Sequence, residues 1–246
     1  MASEIPKVRR LAGQSNRDQK EALTDNRLIP LYFTCVFAWL LWGWEEFKAH
    51  GYQPPSPKIL LVLAIVLTGI TAIGLDRLFR KFRNLNRGER GEIKVAEVID
   101  ELRSLGYRLI HDLPRAGYNI DHVVVGPAGV FVIETKSRGG YGEIEFRDGD
   151  GLFVGGRKEE NDPLRQARSN AAEVNRLLKE HCGKYFPVTP LVVFVGDWKV
   201  KNNWQTTDAR VFTTDRVLRY FEELQPTLTH GEIRLIASHL DRSVRT

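Results

Sequence analysis

Two carboxylates and a lysine on adjacent predicted strands carry the strongest chemical signal in this 246-residue sequence. The apolar runs NIDHVVVG (119–126) and GVFVIETK (129–136) share the sequence GPAG at their junction, which is typical of a tight turn. A regular hairpin closed by that turn places Asp121 opposite Glu134. Lys136 follows Glu134 by two residues and therefore points to the same face of the sheet.

Opposed carboxylates on strands as apolar as these need compensation, because like charges across a strand pair are destabilising. A divalent cation held by Asp121 and Glu134 is the simple candidate. The alternative is that Glu134 and Lys136 form a surface pair at a strand end, while Asp121 caps the turn before its strand. The choice depends on register, because a bulge moves Asp121 to the other face.

Two predicted helices add polar side chains near these strands. Glu92 lies at the edge of the apolar stripe of a helix predicted over 88–106, where a carboxylate needs a partner. Gly91 beside it permits close approach of another chain segment. Gln166 lies off the apolar stripe of a helix that begins at Asp162-Pro163, on a flank that could line a cleft. The alternatives are an acid favoured by the helix dipole and a solvated glutamine.

The surrounding pattern predicts an α/β domain with a mixed sheet between helices. Alternation and apolar runs indicate the strands, whereas stripes at helical spacing indicate the helices. The predicted strands are 107–112, 119–126, 129–136, 143–147, 151–155, 190–197 and a possible 210–215, and the predicted helices are 88–106, 162–179, 215–223 and 230–240.

This ordered set resembles the PD-(D/E)xK nuclease fold and, more narrowly, the nuclease-related domain (NERD) family. The matching strings are GERGE at 88–92, IDHV at 120–123, GVFVIETK at 129–136 and Gln166-Ala167. Some members of the superfamily have proline where this chain has Ile120. The resemblance covers roughly residues 85–200, and it implies a restriction-endonuclease-like mixed sheet flanked by helices.

The resemblance implies metal-dependent hydrolysis of phosphodiester bonds, with DNA as the expected substrate; RNA, or DNA entering the cell, is the alternative substrate that the sequence does not separate from it. Asp121, Glu134 and the Thr135 carbonyl would bind Mg²⁺ or Mn²⁺, while Glu92, Lys136 and Gln166 would complete the catalytic set. Basic residues near these elements are candidate phosphate contacts, although each is equally well an ordinary solvated side chain; they are Arg138, Arg157, Lys158, Arg165 and Arg168. The alternative is a tethered module that binds nucleic acid or a partner protein without cleaving.

Two uncharged runs, 28–44 and 59–75, precede this domain. The two runs predict transmembrane helices, each about 25 Å long at 17 residues. Their aromatic and basic flanks extend the predicted spans to about 28–46 and 59–79. The alternative is a pair of buried helices in a soluble core. A cleavable signal peptide is disfavoured, since the first run starts only at Leu28 and no small-residue cleavage site follows.

Basic residues are concentrated on either side of the two runs. Residues 1–27 and 76–90 each hold six, whereas the proline-rich link 45–58 holds two. This distribution predicts a helical hairpin in a bacterial inner membrane, with both termini in the cytoplasm. Residues 1–83 hold 12 basic and 7 acidic residues, but residues 84–246 hold 24 of each. The net charge of +5 therefore belongs to the cytoplasmic segment 1–27 and the membrane module 28–79 with their flanks. There the basic side chains can contact the lipid bilayer. The nuclease-like domain 84–246 has no net charge.

Overall fold

The computed structural model describes residues 10–50, 57–147, 151–159, 161–201 and 209–244. The chain divides into two compact units, Asn16–Asn86 and a second unit formed by Met1–Ser15 with Arg87–Thr246. Residues 51–56 of the predicted proline-rich link 45–58 lie outside the described residues.

The first unit is helical over its described residues apart from the turn residue His50, which follows α2. Helix α1 (Gln14–Leu23) continues through a π-helical turn (Thr24–Leu28) into α2 (Ile29–Ala49), and α3 (Pro57–Asp100) begins in this unit and ends in the other. The predicted span and the predicted helix over 88–106 are thus parts of one helix. The residues between them, RKFRNLNR, contain no proline or glycine that would end a helix.

Both long helices expose their apolar surfaces. The segments Gln14–Ala49 and Leu60–Leu105 are long and apolar enough to cross a membrane, and only 6% and 11% of their most apolar stretches are buried. Large side chains such as Phe37 and Ile70 are exposed on them. A core helix of a soluble protein buries most of such a surface, so these two helices could span a membrane.

The second unit contains a seven-stranded sheet with helices on both faces. After α3, a 3₁₀ turn (Glu101–Leu105) leads into the sheet. The remaining elements are β1 (Arg108–Arg115), β2 (Tyr118–Gly126), β3 (Gly129–Arg147), β4 (Gly151–Val154), β5 (Arg157–Lys158), α4 (Pro163–Cys182), β6 (Val188–Val200), β7 (Arg210–Thr213), α5 (Val217–Glu222) and α6 (His230–Val244).

The sheet is mixed, which confirms the predicted α/β class. Strands β1 to β5 follow one another as antiparallel neighbours, whereas β6 pairs parallel with β3 and β7 pairs parallel with β6. The predicted strands 129–136 and 143–147 form a single long β3, because β6 pairs with both of its halves. The register of that pairing shifts between Ser137 and Tyr141, so the two halves of β3 are offset by a bulge.

Apolar clusters fix which helix faces which side of the sheet. Val123 and Val132 pack with side chains of α4 and α6 on one face, whereas Val124 and Ile133 pack with side chains of α3 and α5 on the other. Helix α4 starts as predicted, because the Asp162 carboxylate accepts hydrogen bonds from the first free backbone N–H groups of the helix.

Candidate active site

The β2–β3 hairpin has the predicted register. Val125 pairs with Val130 and His122 with Ile133, with no bulge over this stretch. One step further along the strands, the Asp121 carboxylate accepts a hydrogen bond of 2.7 Å from the Thr135 backbone N–H. That bond fixes the carboxylate of β2 against the backbone of β3, directly beside Glu134.

Glu134 is almost fully buried and is held by two side chains. Its Oε1 accepts a hydrogen bond from Lys136 Nζ at 2.7 Å, and its Oε2 accepts one from Asn170 Nδ2 at 3.1 Å. Lys136 Nζ also donates to Gln166 Oε1 at 2.9 Å. The ammonium group therefore joins β3 to α4, and it brings together three of the predicted site residues.

Burial raises the pKa of both carboxyl groups. The pKa of Asp121 lies well above its usual value, because the group loses solvent and because the charges of Glu134 and Glu92 oppose its ionisation. The pKa of Glu134 is raised by burial, and the charge and hydrogen bond of Lys136 together with the Asn170 amide oppose that rise. A cation beside the two carboxylates would relieve this cost.

Helix α3 brings Glu92 to the site through a close contact with β3. A Cβ atom on Gly91 would lie 2.6 Å from the Cβ of Ser137, so only glycine allows this approach. The Glu92 carboxylate lies close enough to oppose ionisation of Asp121. Its Oε2 accepts a hydrogen bond of 3.0 Å from the backbone N–H of Gly13. One hydrogen-bond partner of Glu92 therefore lies in a segment that precedes both apolar helices.

Asp112 anchors this N-terminal segment, Arg10–Ser15, to the sheet. Its buried carboxylate accepts hydrogen bonds from Arg10 Nε at 2.7 Å, Ser15 N at 3.1 Å and Asn119 Nδ2 at 2.7 Å. The residue has a φ of +51°, a left-handed conformation that aspartate adopts more readily than most residues. Nothing in the sequence pattern predicts this anchor, because Arg10 and Ser15 lie about a hundred residues away from Asp112 along the chain.

Asn170 is a site residue that the sequence interpretation missed, although a signal was present. It lies three residues after Ala167 and four before Val174, on the buried stripe of α4. A buried amide on an apolar stripe must find a polar partner. Here that partner is Glu134.

His122 is fully buried and, by the alternation of β2, lies on the face of the sheet opposite Asp121. Its Nδ1 is 2.9 Å from the Nδ1 of His111, and burial together with the His111 charge holds the pKa of His122 well below its usual value. The ring is therefore neutral at physiological pH.

The five predicted phosphate-contact residues have different surroundings. Arg138 forms an ion pair with Glu159, so its guanidinium is already engaged. Arg165 is exposed immediately before Gln166 on α4. The other three lie on β5 or further along α4: Arg157 and Lys158 are exposed, and Arg168 is half-buried.

The donor atoms of the site suit a hard divalent cation in part. Asp121 and Glu134 supply carboxylate oxygens and Thr135 a backbone carbonyl, which are the ligands that Mg²⁺ and Mn²⁺ prefer. The Thr135 hydroxyl is buried without a hydrogen-bond partner among the described residues. Over the same residues, no group of three or more His, Cys, Asp or Glu side chains is placed to hold a metal ion.

Residues 87–195 match the family model described as the nuclease-related domain. This part of the chain is therefore similar to the nuclease-related domain family. The match begins at Arg87 in α3, the first residue of that helix in the second unit, and ends within β6. It therefore includes Glu92, Asp121, Glu134, Lys136 and Gln166. It confirms the resemblance deduced from the sequence strings. No curated protein and no solved structure was similar enough to match the chain.

Proposed function

We propose that this protein is a membrane-anchored endonuclease whose nuclease-related domain hydrolyses phosphodiester bonds of DNA with the help of a divalent metal ion. The observation that carries the proposal is the position of Lys136. Its Nζ lies between Glu134 Oε1 and Gln166 Oε1, at the edge of a carboxylate pair that is costly to ionise.

Asp121 and Glu134, with the Thr135 carbonyl, are the residues that would hold Mg²⁺ or Mn²⁺. When bound, such an ion supplies Lewis-acid activation of the phosphodiester group. The chain itself fixes the two carboxylates: the Thr135 N–H donates to Asp121, and the Asn170 amide donates to Glu134. Glu92 adds negative charge next to Asp121 and strengthens the attraction for a cation.

Lys136 is suited to act on the substrate side of the carboxylates. An ammonium group has three N–H donors, and Glu134 and Gln166 accept from two of them. The side chain keeps 18% of its surface exposed, so the third donor can reach a phosphate oxygen or orient an attacking water. Positive charge held at that point stabilises the negative charge that develops on the phosphoryl oxygens in the transition state.

A second function, binding without cleavage, is favoured by two observations. The ammonium of Lys136 forms an ion pair with the Glu134 carboxylate at 2.7 Å and so compensates its charge. The described residues also lack a three-residue metal-binding group. In this case the domain would recognise nucleic acid or a partner protein at the membrane and leave the phosphodiester intact.

Cleavage assays with the full chain in detergent separate the two functions. Supercoiled plasmid, single-stranded DNA and RNA are incubated with the wild type and with Lys136→Ala, in Mg²⁺, Mn²⁺ or EDTA. The matched control is Lys179→Ala, an exposed lysine 13 residues beyond Gln166 on α4 and therefore about 20 Å along the helix. The proposal expects metal-dependent cleavage of DNA that only Lys136→Ala abolishes. Nucleic-acid binding without cleavage under every condition supports the second function.

We further propose that both termini lie in the cytoplasm. Two contacts within the second unit support a hairpin in which both apolar helices cross the membrane. They join the Gly13 N–H to Glu92 and Arg10 to Asp112. The segment before α2 and the domain after the apolar part of α3 thus belong on one side of any membrane that the helices cross. The basic flanks favour the cytoplasmic side. A reporter fused after Thr246 should be active only in the cytoplasm, and an external signal would contradict this orientation.

A further inference from the structure

A cavity of about 530 Å³ opens between the helices of the first unit. One part of its lining is apolar and includes Leu31, Ile70 and Ile73. The other part is cationic and consists of Arg27, Arg77 and Lys81. The space is thus amphipathic, and its ligand should have one apolar and one anionic end.

The two parts of the lining lie at different depths along the helices, the apolar part within the predicted span and the cationic part at its end. On α3, Ile70, Ile73, Arg77 and Lys81 follow one another at three- and four-residue intervals, so they lie on one face. The apolar pair lies inside the predicted span 59–79, whereas the cations lie at its end. Arg27 comes from the π-helical turn just before α2, so it lies at the corresponding end of the other span.

The three cations of the cavity lack compensation. Among the described residues that line the cavity, none is acidic. The side chains of Arg27, Arg77 and Lys81 make no hydrogen bond or ion pair with any residue in the described ranges, whereas the neighbouring Arg80 pairs with Asp76. Three converging positive charges at the edge of an apolar layer attract an anion strongly.

We infer that this cavity binds one anionic phospholipid, with the phosphate group at Arg27, Arg77 and Lys81 and an acyl chain along Ile70 and Ile73. The inference rests on the proposed membrane anchorage. A free phosphate would use the cations but leave the apolar lining in contact with water, and a neutral lipid would leave the cations uncompensated. An anionic lipid satisfies both parts of the lining.

The test uses the full chain in nanodiscs of phosphatidylcholine with or without phosphatidylglycerol, and it measures retained lipid by native mass spectrometry. Membrane fractionation and alkaline extraction come first, because a protein released at this step refutes the anchorage itself. The variant Arg77→Gln with Lys81→Gln should retain phosphatidylglycerol about 30-fold less, given the usual contribution of a basic residue near an anionic surface. The control Arg80→Gln with Arg83→Gln removes the same net charge outside the cavity and should retain it normally.

A second variant tests the apolar part without changing any charge. Ile73→Trp fills the lining and should also reduce phosphatidylglycerol retention, while the protein remains in the membrane fraction. Equal losses in the cavity and control pairs would mean general surface attraction and overturn the inference. Full competition by inorganic phosphate, or equal retention of phosphatidylcholine, would overturn it as well.

Discussion

Removing the Asp112 carboxylate should release the N-terminal segment from the domain. In the native protein this carboxylate accepts hydrogen bonds from Arg10 Nε and Ser15 N, both within the segment Arg10–Ser15. In Asp112→Ala both bonds are lost. Of the three hydrogen bonds given above between this segment and the domain, the one from the Gly13 N–H to Glu92 remains.

The size of the effect follows from the type of bond. A hydrogen bond to a charged group contributes about 1.5–3 kcal/mol to stability. Because Arg10 keeps 23% of its side-chain surface exposed, we take the lower figure for each of the two bonds. The loss is then about 3 kcal/mol, which increases the opening equilibrium of the segment by more than about 100-fold.

Hydrogen–deuterium exchange of the full chain in detergent measures this opening. The amides of Gly13 and Ser15 are both hydrogen-bonded to carboxylates of the domain, so they should exchange slowly in the wild type and more than about 100-fold faster in Asp112→Ala. Asp112→Asn should give a smaller effect, since asparagine tolerates the left-handed backbone and keeps an acceptor oxygen.

The matched control is Asn119→Ala, which removes the third bond to Asp112 without touching the segment. Exchange at Gly13 and Ser15 should then stay close to the wild-type rate. Unchanged protection in Asp112→Ala would refute the anchoring role. Equal deprotection in the control would show that the whole hairpin loosens instead.

Two further predictions concern stability. Gly91→Ala should lower the melting temperature, because the new methyl group meets the Cβ of Ser137 and such overpacking costs about 1–3 kcal/mol; adding Ser137→Gly should restore most of the loss, and no restoration would place the strain elsewhere. The hydrogen bonds of Lys184 and Thr229 lower the pKa of Glu232 to about 2. Their stabilisation should be complete above the usual glutamate pKa and be lost as the pH falls towards 2, so thermal unfolding of Glu232→Gln should depend less on pH in that window. Parallel pH profiles for the two proteins would contradict it.

Local signals in the sequence were sufficient to predict the centre of the site. The apolar alternation of β2 and β3 and the short turn between them set the register that places Asp121 beside Glu134. The pair Asp162-Pro163 set the start of α4, and with it the position of Gln166 near Lys136. Each of these features depends on residues close together in the chain.

Long-range contacts could not be predicted in the same way. The anchoring of Arg10–Ser15 by Asp112 joins segments separated by both apolar helices, and no local pattern records it. The continuity of β3 was missed because Gly139, Gly140 and Gly142 suggest a break. Pairing with β6 on both sides of the bulge keeps that strand intact.

The N-terminal contacts also determine how activity should be measured. A fragment that starts at residue 84 lacks Arg10–Ser15, so it leaves Asp112 and Glu92 without hydrogen-bond partners that they have in the full chain. Because Glu92 lies beside Asp121, such a fragment tests an altered site. The full chain in detergent or nanodiscs is therefore the correct material.

The most direct test of the central claim is the single-turnover rate of plasmid nicking by the full chain in Mg²⁺, compared with Lys136→Ala. We expect the rate to fall about 10²–10³-fold in the variant, the usual cost of removing one group that stabilises transition-state charge, with DNA binding retained and with no nicking in EDTA. Equal rates for the two proteins, or nicking that persists in EDTA, would contradict the assignment of Asp121, Glu134 and Lys136 as a metal-dependent nuclease site.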